Sequence, residues 1–538
     1  MTASETQCCF EGLFLDKQVP QLPQVLFDRY LVGGELRLWQ GPTAPVVSPI
    51  CRQGSEEPTV IGTFPMLGPQ EALEAVEAAH RAYNYGRGEW PQMSTRQRIE
   101  AVQKYLQGLK QKRDEIVNLI QWEICKTTAD AEKEVDRTIL YVQDTIKALK
   151  DLENEQSTFK SEGGVIAQIR RAPYGVVLCC GPFNYPFNET YTVLLPALIM
   201  GNTVVMKLPR VGVLCHFPTL QLFKDIFPPG VVNVISGSGR ETLPPIMASG
   251  KMDILAFIGT SKAASALQKA HPKPHRLRVC LGLEAKNPAI ILPDANLDVA
   301  VEECILGSLS YNGQRCTALK IIFVHEKVSE AFLAKFAKAV DNLKMGLPWT
   351  PGVKITPLPE EGKPGYIRDL LQDALSKGAS IINTERGGKF DRTFVAPTVV
   401  HPVTDQMRLY HEEQFGPIVP VATFSDLDEV FAYLASSPYG QQASVFSQDA
   451  DAISQLVDVL VNQVSRVNIN AQCQRGPDSF PFTGRKDSAY GTLSVFDALR
   501  VFSIRSLVAT KDTKENAAVL SQILDKKSSN FLRMDYIF

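Results

Sequence analysis

Tyr174-Gly175-Val176-Val177-Leu178-Cys179-Cys180-Gly181-Pro182-Phe183-Asn184-Tyr185-Pro186 joins an unbroken apolar run to a turn of glycine and prolines. An apolar run without alternation predicts a strand buried on both faces, and the turn after it predicts that the chain leaves the sheet there. The pattern repeats downstream. Residues 203–206, 231–235 and 254–258 are short apolar runs. Each precedes a helical stretch, near 216–226, from 241 onward and near 261–270. Such strands separated by helices predict a parallel sheet covered on both faces, which binds ligands at the carboxyl ends of its strands.

Working outward, residues 71–85 and 94–124 carry apolar positions at helical spacing. In the second stretch Ile99, Val102, Leu106, Leu109, Ile116 and Ile120 form one stripe, with Ser94 placed to cap it. A third helix is expected over 130–152 and an extended strand over 164–171. A second αβ series begins near 287–292. It continues through helices at 329–343 and 366–377 and strands at 379–382 and 418–424. Residues 346–365 and 476–491, rich in proline and glycine, are expected as loops.

The chain has 538 residues, too many for one hydrophobic core, so two or three domains are expected. Its 44% hydrophobic and 21% charged content describes a folded protein, and the net charge of −2 leaves no basic field for nucleic acid or anionic membrane. No run is long and apolar enough to span a bilayer. Residues 1–16 lack a secretory pattern, and the last residues carry no retention, peroxisomal or prenylation signal. The eleven cysteines form no CxxC pair, which fits reduced thiols and a cytoplasmic location.

The chemistry centres on Tyr311-Asn312-Gly313-Gln314-Arg315-Cys316-Thr317-Ala318. A cation beside a thiol lowers its pKa, so Arg315 is expected to favour the Cys316 thiolate. Asn184, at a strand's carboxyl end, offers an amide to an oxyanion. Lys207 and Arg210 follow the strand at 203–206 and suit a phosphate-bearing ligand. Gly259, Thr260 and Ser261 place a hydroxyl and free amides at a helix start. Taken singly, each has a plainer alternative: an inert buried thiol, a turn asparagine, a solvated basic loop. His271 and His275 are separated by prolines and lack companion ligands, so no metal is expected.

Together these motifs, with Glu412-Glu413-Gln414-Phe415-Gly416-Pro417, resemble the aldehyde dehydrogenase superfamily over roughly Val32 to Ser506. The narrower likeness is to the NADP-dependent, non-phosphorylating glyceraldehyde-3-phosphate dehydrogenases. It rests on residues 313–318, residues 183–186 and Gln474-Arg475-Gly476 before Phe480-Pro481-Phe482. The resemblance implies an α/β fold with a Rossmann-like cofactor domain (22–154 and 172–284) and a catalytic domain (285–484). A small β oligomerisation element (155–171 and 498–510) and a tail (511–538) complete it. It implies Cys316 as nucleophile, Asn184 at the oxyanion, and Lys207, Gly259, Thr260, Glu413 and Phe415 around NADP. Arg210 stands where relatives that prefer NAD often carry a glutamate, although NAD stays possible. Arg137, Tyr185, Arg315 and Arg475 are implied as holders of a small phosphorylated aldehyde, in a homodimer or homotetramer. A semialdehyde is the alternative substrate, and a binding protein without catalysis the alternative role.

One stretch departs from the family. Where a Leu-Glu-Leu-Gly-Gly-Lys pattern carries the general base, this chain has Leu281-Gly282-Leu283-Glu284-Ala285-Lys286. Gly282 occupies the base position, and in an extended chain Glu284 points to the same face about 7 Å away. Glu284 is therefore expected to act from a shifted position. Another carboxylate in its place, or loss of deacylation, are the two other readings.

Overall fold

A computed structural model describes residues 19–51, 58–156 and 158–532. The expectation for residues 1–16 lies outside them, as does the apolar end of the tail at 533–538. Two large sheets organise the chain. The first has eight strands in the spatial order Ala489–Tyr490, Arg278–Gly282, Ile254–Ile258, Val176–Cys180, Thr203–Lys207, Val232–Ile235, Arg29–Val32 and Glu35–Leu38. The five strands from Arg278–Gly282 to Val232–Ile235 run parallel, and the edge strands are antiparallel.

The run Val176–Cys180 is buried throughout. Its residues alternate between two cores: Val177 and Cys179 pack with Tyr191 and Leu194 on one side, Val176 and Leu178 with Met247 and Leu255 on the other. Both faces need apolar side chains, hence a sequence without alternation. The parallel register pairs Cys180 with Lys207, Lys207 with Ile235, and Ile258 with Gly282. The carboxyl ends therefore share one edge of the sheet, and the loops carrying Asn184, Arg210, Thr260 and Glu284 leave from it.

The second sheet has seven strands in the order Ser380–Ile381, Thr398–His401, Ile418–Phe424, Leu319–His325, Asn287–Ile291, Gln442–Phe446 and Arg466–Ile469. All but the first pair are parallel. A separate antiparallel sheet joins Lys160–Glu162, Val165–Pro173 and Ser503–Lys511.

Three expectations need adjustment. Residues 94–124 form two helices, Thr95–Gln111 and Arg113–Ile124. Lys112, at φ −94°, ψ 0°, ends the first and precedes the second, while Ser94 caps the first helix by accepting from the amide of Gln97. The late strand does not begin at 498, because Val495–Val501 is a helix capped by Ser494. Val495, Ala498 and Leu499 are buried at helical spacing, and this packing outweighs the β preference of the neighbouring valine and phenylalanine. The loop at 476–491 contains two short strands, one of which extends the first sheet.

Beyond 511 the chain forms the helix Lys514–Asp525, with no buried residue, and then returns to the body. Arg170 donates to the carbonyl of Phe531, and Leu532 is buried. Among the described residues no helix is long and apolar enough to cross a membrane, and no group of three or more His, Cys, Asp or Glu is placed to hold a metal ion.

Candidate active site

A cavity of about 1140 Å³ lies where loops of the two large sheets meet. Its wall contains Arg137, Asn184, Tyr185, Gly259, Thr260, Gly282, Glu284, Arg315, Cys316, Glu413, Phe415 and Arg475. Residues scattered over more than 300 positions thus converge on one space. Lys207 and Arg210 are not on its wall; they sit farther along the carboxyl edge of the first sheet.

Cys316 is held by an unusual approach. After the helix Leu297–Leu309, Tyr311, Asn312 and Gly313 adopt left-handed conformations at φ 49°, 56° and 70°. Such backbone persists only where its surroundings hold it. Asn312 exchanges two hydrogen bonds with Thr356 (3.1 and 3.0 Å), and the Tyr311 hydroxyl donates to the Ile124 carbonyl at 3.1 Å. A side chain at Gly313 would stand 2.7 Å from the carbonyls of Ser308 and Gly416, so glycine is required there. The Cys316 carbonyl accepts from Lys320 Nζ and Asn287 Nδ2, each at 2.9 Å.

The electrostatics of the thiol differ from the sequence expectation. Burial raises the Cys316 pKa, and the charge of Glu189 raises it further; Lys320 and Arg475 lower it. Arg315 is not among these influences. Its Nη2 donates to the carbonyls of Leu306 and Gly307 (3.0 and 2.9 Å) and to Gln472 Oε1 (3.3 Å). The guanidinium thus closes the carboxyl end of the preceding helix, where free carbonyls and the helix dipole favour a cation. Sequence neighbours point apart here, and residues four and 159 positions later supply the positive charge instead.

Asn184 is 5% exposed and donates one N–H to the Gln314 carbonyl at 2.8 Å, leaving its second N–H available. Glu413 accepts from Lys320 (2.8 Å) and from the Ala285 amide (3.1 Å), tying the two sheets together beside the cysteine. Lys286 is fully buried, which pushes its pKa well down. It donates to the Glu412 carbonyl (2.6 Å) and Gln414 Oε1 (2.7 Å), fixing the segment that carries Glu413 and Phe415. The Phe415 ring meets Phe183 edge-on at 5.8 Å.

Glu284 is engaged elsewhere than at the cysteine. Its Oε2 accepts from the Ser261 amide at 2.8 Å, and it caps the helix Ser261–Ala270 together with Thr260, which accepts from Ala263 at 3.3 Å. The base role at a shifted position therefore draws no support from its placement. Gly282 is not forced to be glycine: a Cβ there would lie 3.5 Å from Ile258, an ordinary contact, with no left-handed backbone.

Two of the four residues expected to hold a phosphate are paired with carboxylates. Arg137 donates twice to Asp478, both at 2.7 Å. Arg475 is bonded through Nη1 to Glu189 and lies 3.5 Å from Asp478, while its buried Nε and Nη2 make no hydrogen bond. Tyr185 covers Lys126, whose Nζ is 3.3 Å from the ring centre. Sequence reading passed over Lys320, Asp478 and Glu189. Lys320 lies inside an apolar strand, and Glu189 lies one helical turn beyond the Asn184 turn; neither carries a motif of its own.

A dinucleotide fits the carboxyl edge of the first sheet. Lys207 is 8% exposed, with its pKa lowered by burial, and makes no hydrogen bond among the described residues. Its Nζ faces Gly239, the first residue of a helix whose start has no side-chain cap. An unpaired buried cation beside free helix amides is an anion seat.

Residues 42–507 match the Aldehyde dehydrogenase family. The chain is 32% identical over 464 residues to the NADP-dependent glyceraldehyde-3-phosphate dehydrogenase of Streptococcus equinus, across 84% of this chain and 92% of that protein. It is 28% identical over 471 residues to the chloroplastic betaine aldehyde dehydrogenase of Beta vulgaris, across 84% and 91%. The crystal structure of NADP-dependent glyceraldehyde-3-phosphate dehydrogenase from Bacillus halodurans C-125 complexed with NADP matches with a TM-score of 0.82 at 29% identity, covering 90% of this chain and 99% of that one.

Proposed function

The chain belongs to the aldehyde dehydrogenase family, and we propose that it uses NADP to oxidise a small anionic aldehyde, glyceraldehyde 3-phosphate first among them, to the carboxylic acid without inorganic phosphate. The observation that carries the substrate choice is Arg475, buried on the cavity wall with two guanidinium nitrogens, Nε and Nη2, that make no hydrogen bond among the described residues. A buried guanidinium with free donors gains most from an anionic oxygen, because leaving such donors dry is unfavourable. The similarity to the Streptococcus equinus and Bacillus halodurans proteins supports the same reading.

In this reading Lys320 and Arg475 favour the Cys316 thiolate, which adds to the aldehyde carbon. The free N–H of Asn184 meets the oxygen as it gains charge. NADP, when bound, supplies the nicotinamide that accepts hydride. Lys207, Gly259, Thr260, Glu413 and Phe415 would hold it, with Arg210, exposed at the edge, meeting the 2′-phosphate. Arg137, Tyr185, Arg315 and Arg475 frame the substrate end, where Arg315 acts by holding the cysteine loop. Water then releases the acid from the acyl-enzyme.

The three-stranded sheet supports assembly with a second copy. Ile504 and Leu507 are 42% and 61% exposed on its long strand, and Val165 is 41% exposed on the neighbour. Paired dimers or tetramers would cover them.

The test is steady-state kinetics with glyceraldehyde 3-phosphate, glyceraldehyde and a semialdehyde carboxylate, each with NADP and NAD. Arg475→Ala is expected to raise KM for the anionic aldehydes by about tenfold or more and to change glyceraldehyde little. An equal rise for charged and neutral aldehydes removes the anion site from the scheme.

A further inference from the structure

Hydrolysis of an acyl group from Cys316 needs an acceptor for the proton of the attacking water. Gly282 provides none, and Glu284 is held by the Ser261 amide. Most other carboxylates of the cavity are also occupied. Glu134 accepts from Lys126 and from the amides of Phe187 and Asn188. Glu412 binds Arg408 through both oxygens, and Oε1 of Glu413 is shared between Lys320 and the Ala285 amide. Asp130 accepts from Thr127 Oγ1, and neither it nor Glu360 is among the main charges acting on the thiol.

Among the described residues Glu189 keeps one oxygen without a donor, as Glu413 does, but acts on the thiol more strongly than Glu413. It lies in the first turn of the helix Asn188–Ile199, five residues after Asn184, so one segment brings the amide and this carboxylate to the same wall. It is 8% exposed, and Arg475 holds its Oε2; among the described residues no donor is bonded to Oε1. Of the charges that act on Cys316 its effect is the largest, as expected for a carboxylate close to the sulfur in a site of low dielectric.

We infer that Glu189 is the proton acceptor for hydrolysis of the Cys316 acyl-enzyme. The inference rests on the covalent reading of Cys316 given above. Water oxygen bonds to the acyl carbon while its proton passes to Glu189. The carbon–sulfur bond then breaks, and its electron pair stays on sulfur as the thiolate. The acid leaves as product, and Glu189 returns its proton to solvent. Arg475 couples this step to the substrate. An anionic substrate tail that accepts from the free Nε and Nη2 of Arg475 competes with the Glu189 carboxylate for the guanidinium.

p-Nitrophenyl acetate separates the steps without any dinucleotide, because it acylates a reactive thiol and releases coloured nitrophenolate. Glu189→Gln is expected to keep the initial burst and to lose steady turnover by on the order of 10²-fold. Acetyl-enzyme should then accumulate in the intact-mass spectrum. Adding Gly282→Glu, for which there is space, is expected to restore much of the steady rate. A wild-type steady rate in Glu189→Gln after a normal burst overturns the assignment, as does an equal loss of burst and steady rate in a variant folded by circular dichroism. A wild-type chain whose Cys316 takes no acetyl group overturns instead the covalent reading beneath it.

Discussion

Lys320 and Arg475 hold the charge balance at Cys316 that its neighbour Arg315 does not touch. Removing the cation with the larger effect, Lys320, should therefore show as a change in thiol reactivity. Lys320→Met is expected to slow alkylation of Cys316 by iodoacetamide at pH 7.5 by several-fold, because a larger fraction stays protonated. A similar loss in Arg315→Met, with Lys320→Met unchanged, reverses the assignment. Glu284 makes a second prediction at this scale. Its negative charge occupies the helix start where a pyrophosphate is expected, so Glu284→Gln should tighten NADP binding severalfold in a fluorescence titration. Weaker binding in that variant contradicts the competition. Arg210 is exposed and tests cofactor choice: Arg210→Ala should raise KM for NADP by about tenfold and leave NAD unchanged.

At the scale of elements, capping and burial period decided boundaries that composition left open. Ser94 begins the helix Thr95–Gln111 through a reciprocal pair with Gln97, whose side chain accepts from the Ser94 amide at 2.9 Å. Ser94→Ala should lower stability by about 1 kcal/mol in urea unfolding, and no change would mean the cap is redundant. The strand Ser503–Lys511 pairs along its whole length with Val165–Pro173 while leaving Leu507 exposed. Leu507→Asp should shift the protein to a smaller species in analytical ultracentrifugation without loss of secondary structure. The helix Val495–Val501 could not be told from the following strand by residue type, since valine and phenylalanine occur in both; only its buried i, i+3, i+4 face separates them.

Across the whole molecule, one buried group sets an acid limit. His216 is fully buried, neither of its ring nitrogens is bonded among the described residues, it stacks 5.9 Å from Tyr191, and burial lowers its pKa to about 3. A histidine whose folded pKa is depressed contributes nothing adverse above its ordinary value of 6.5. As pH falls from there toward 3 the unfolded chain takes the proton first, and stability drops by about 1.4 kcal/mol per unit. His216→Phe should thus be more stable than the wild type by roughly 2–3 kcal/mol at pH 4.5 beyond any difference at pH 7.5. Equal urea midpoint differences at the two values would exclude His216 as the cause.

Much of this architecture was legible in the chain. The apolar runs at 176–180, 203–206 and 254–258 have no polar alternation because both of their faces are buried, a local cause with a local signature. The strand-turn motifs at 181–186 and 257–261 could be placed for the same reason: the turn follows the strand directly. What the linear order could not determine was direction. Arg315 adjoins Cys316 yet turns to a helix end, and Glu284 turns to another. Glu189 and Arg475, 286 positions apart, form one pair on the cavity wall that also holds Cys316. Side-chain charge acts through space and not along the chain, so the identities of the reacting groups were written in the sequence, while their partners, and hence their chemistry, were decided by the packing of two sheets around one cavity.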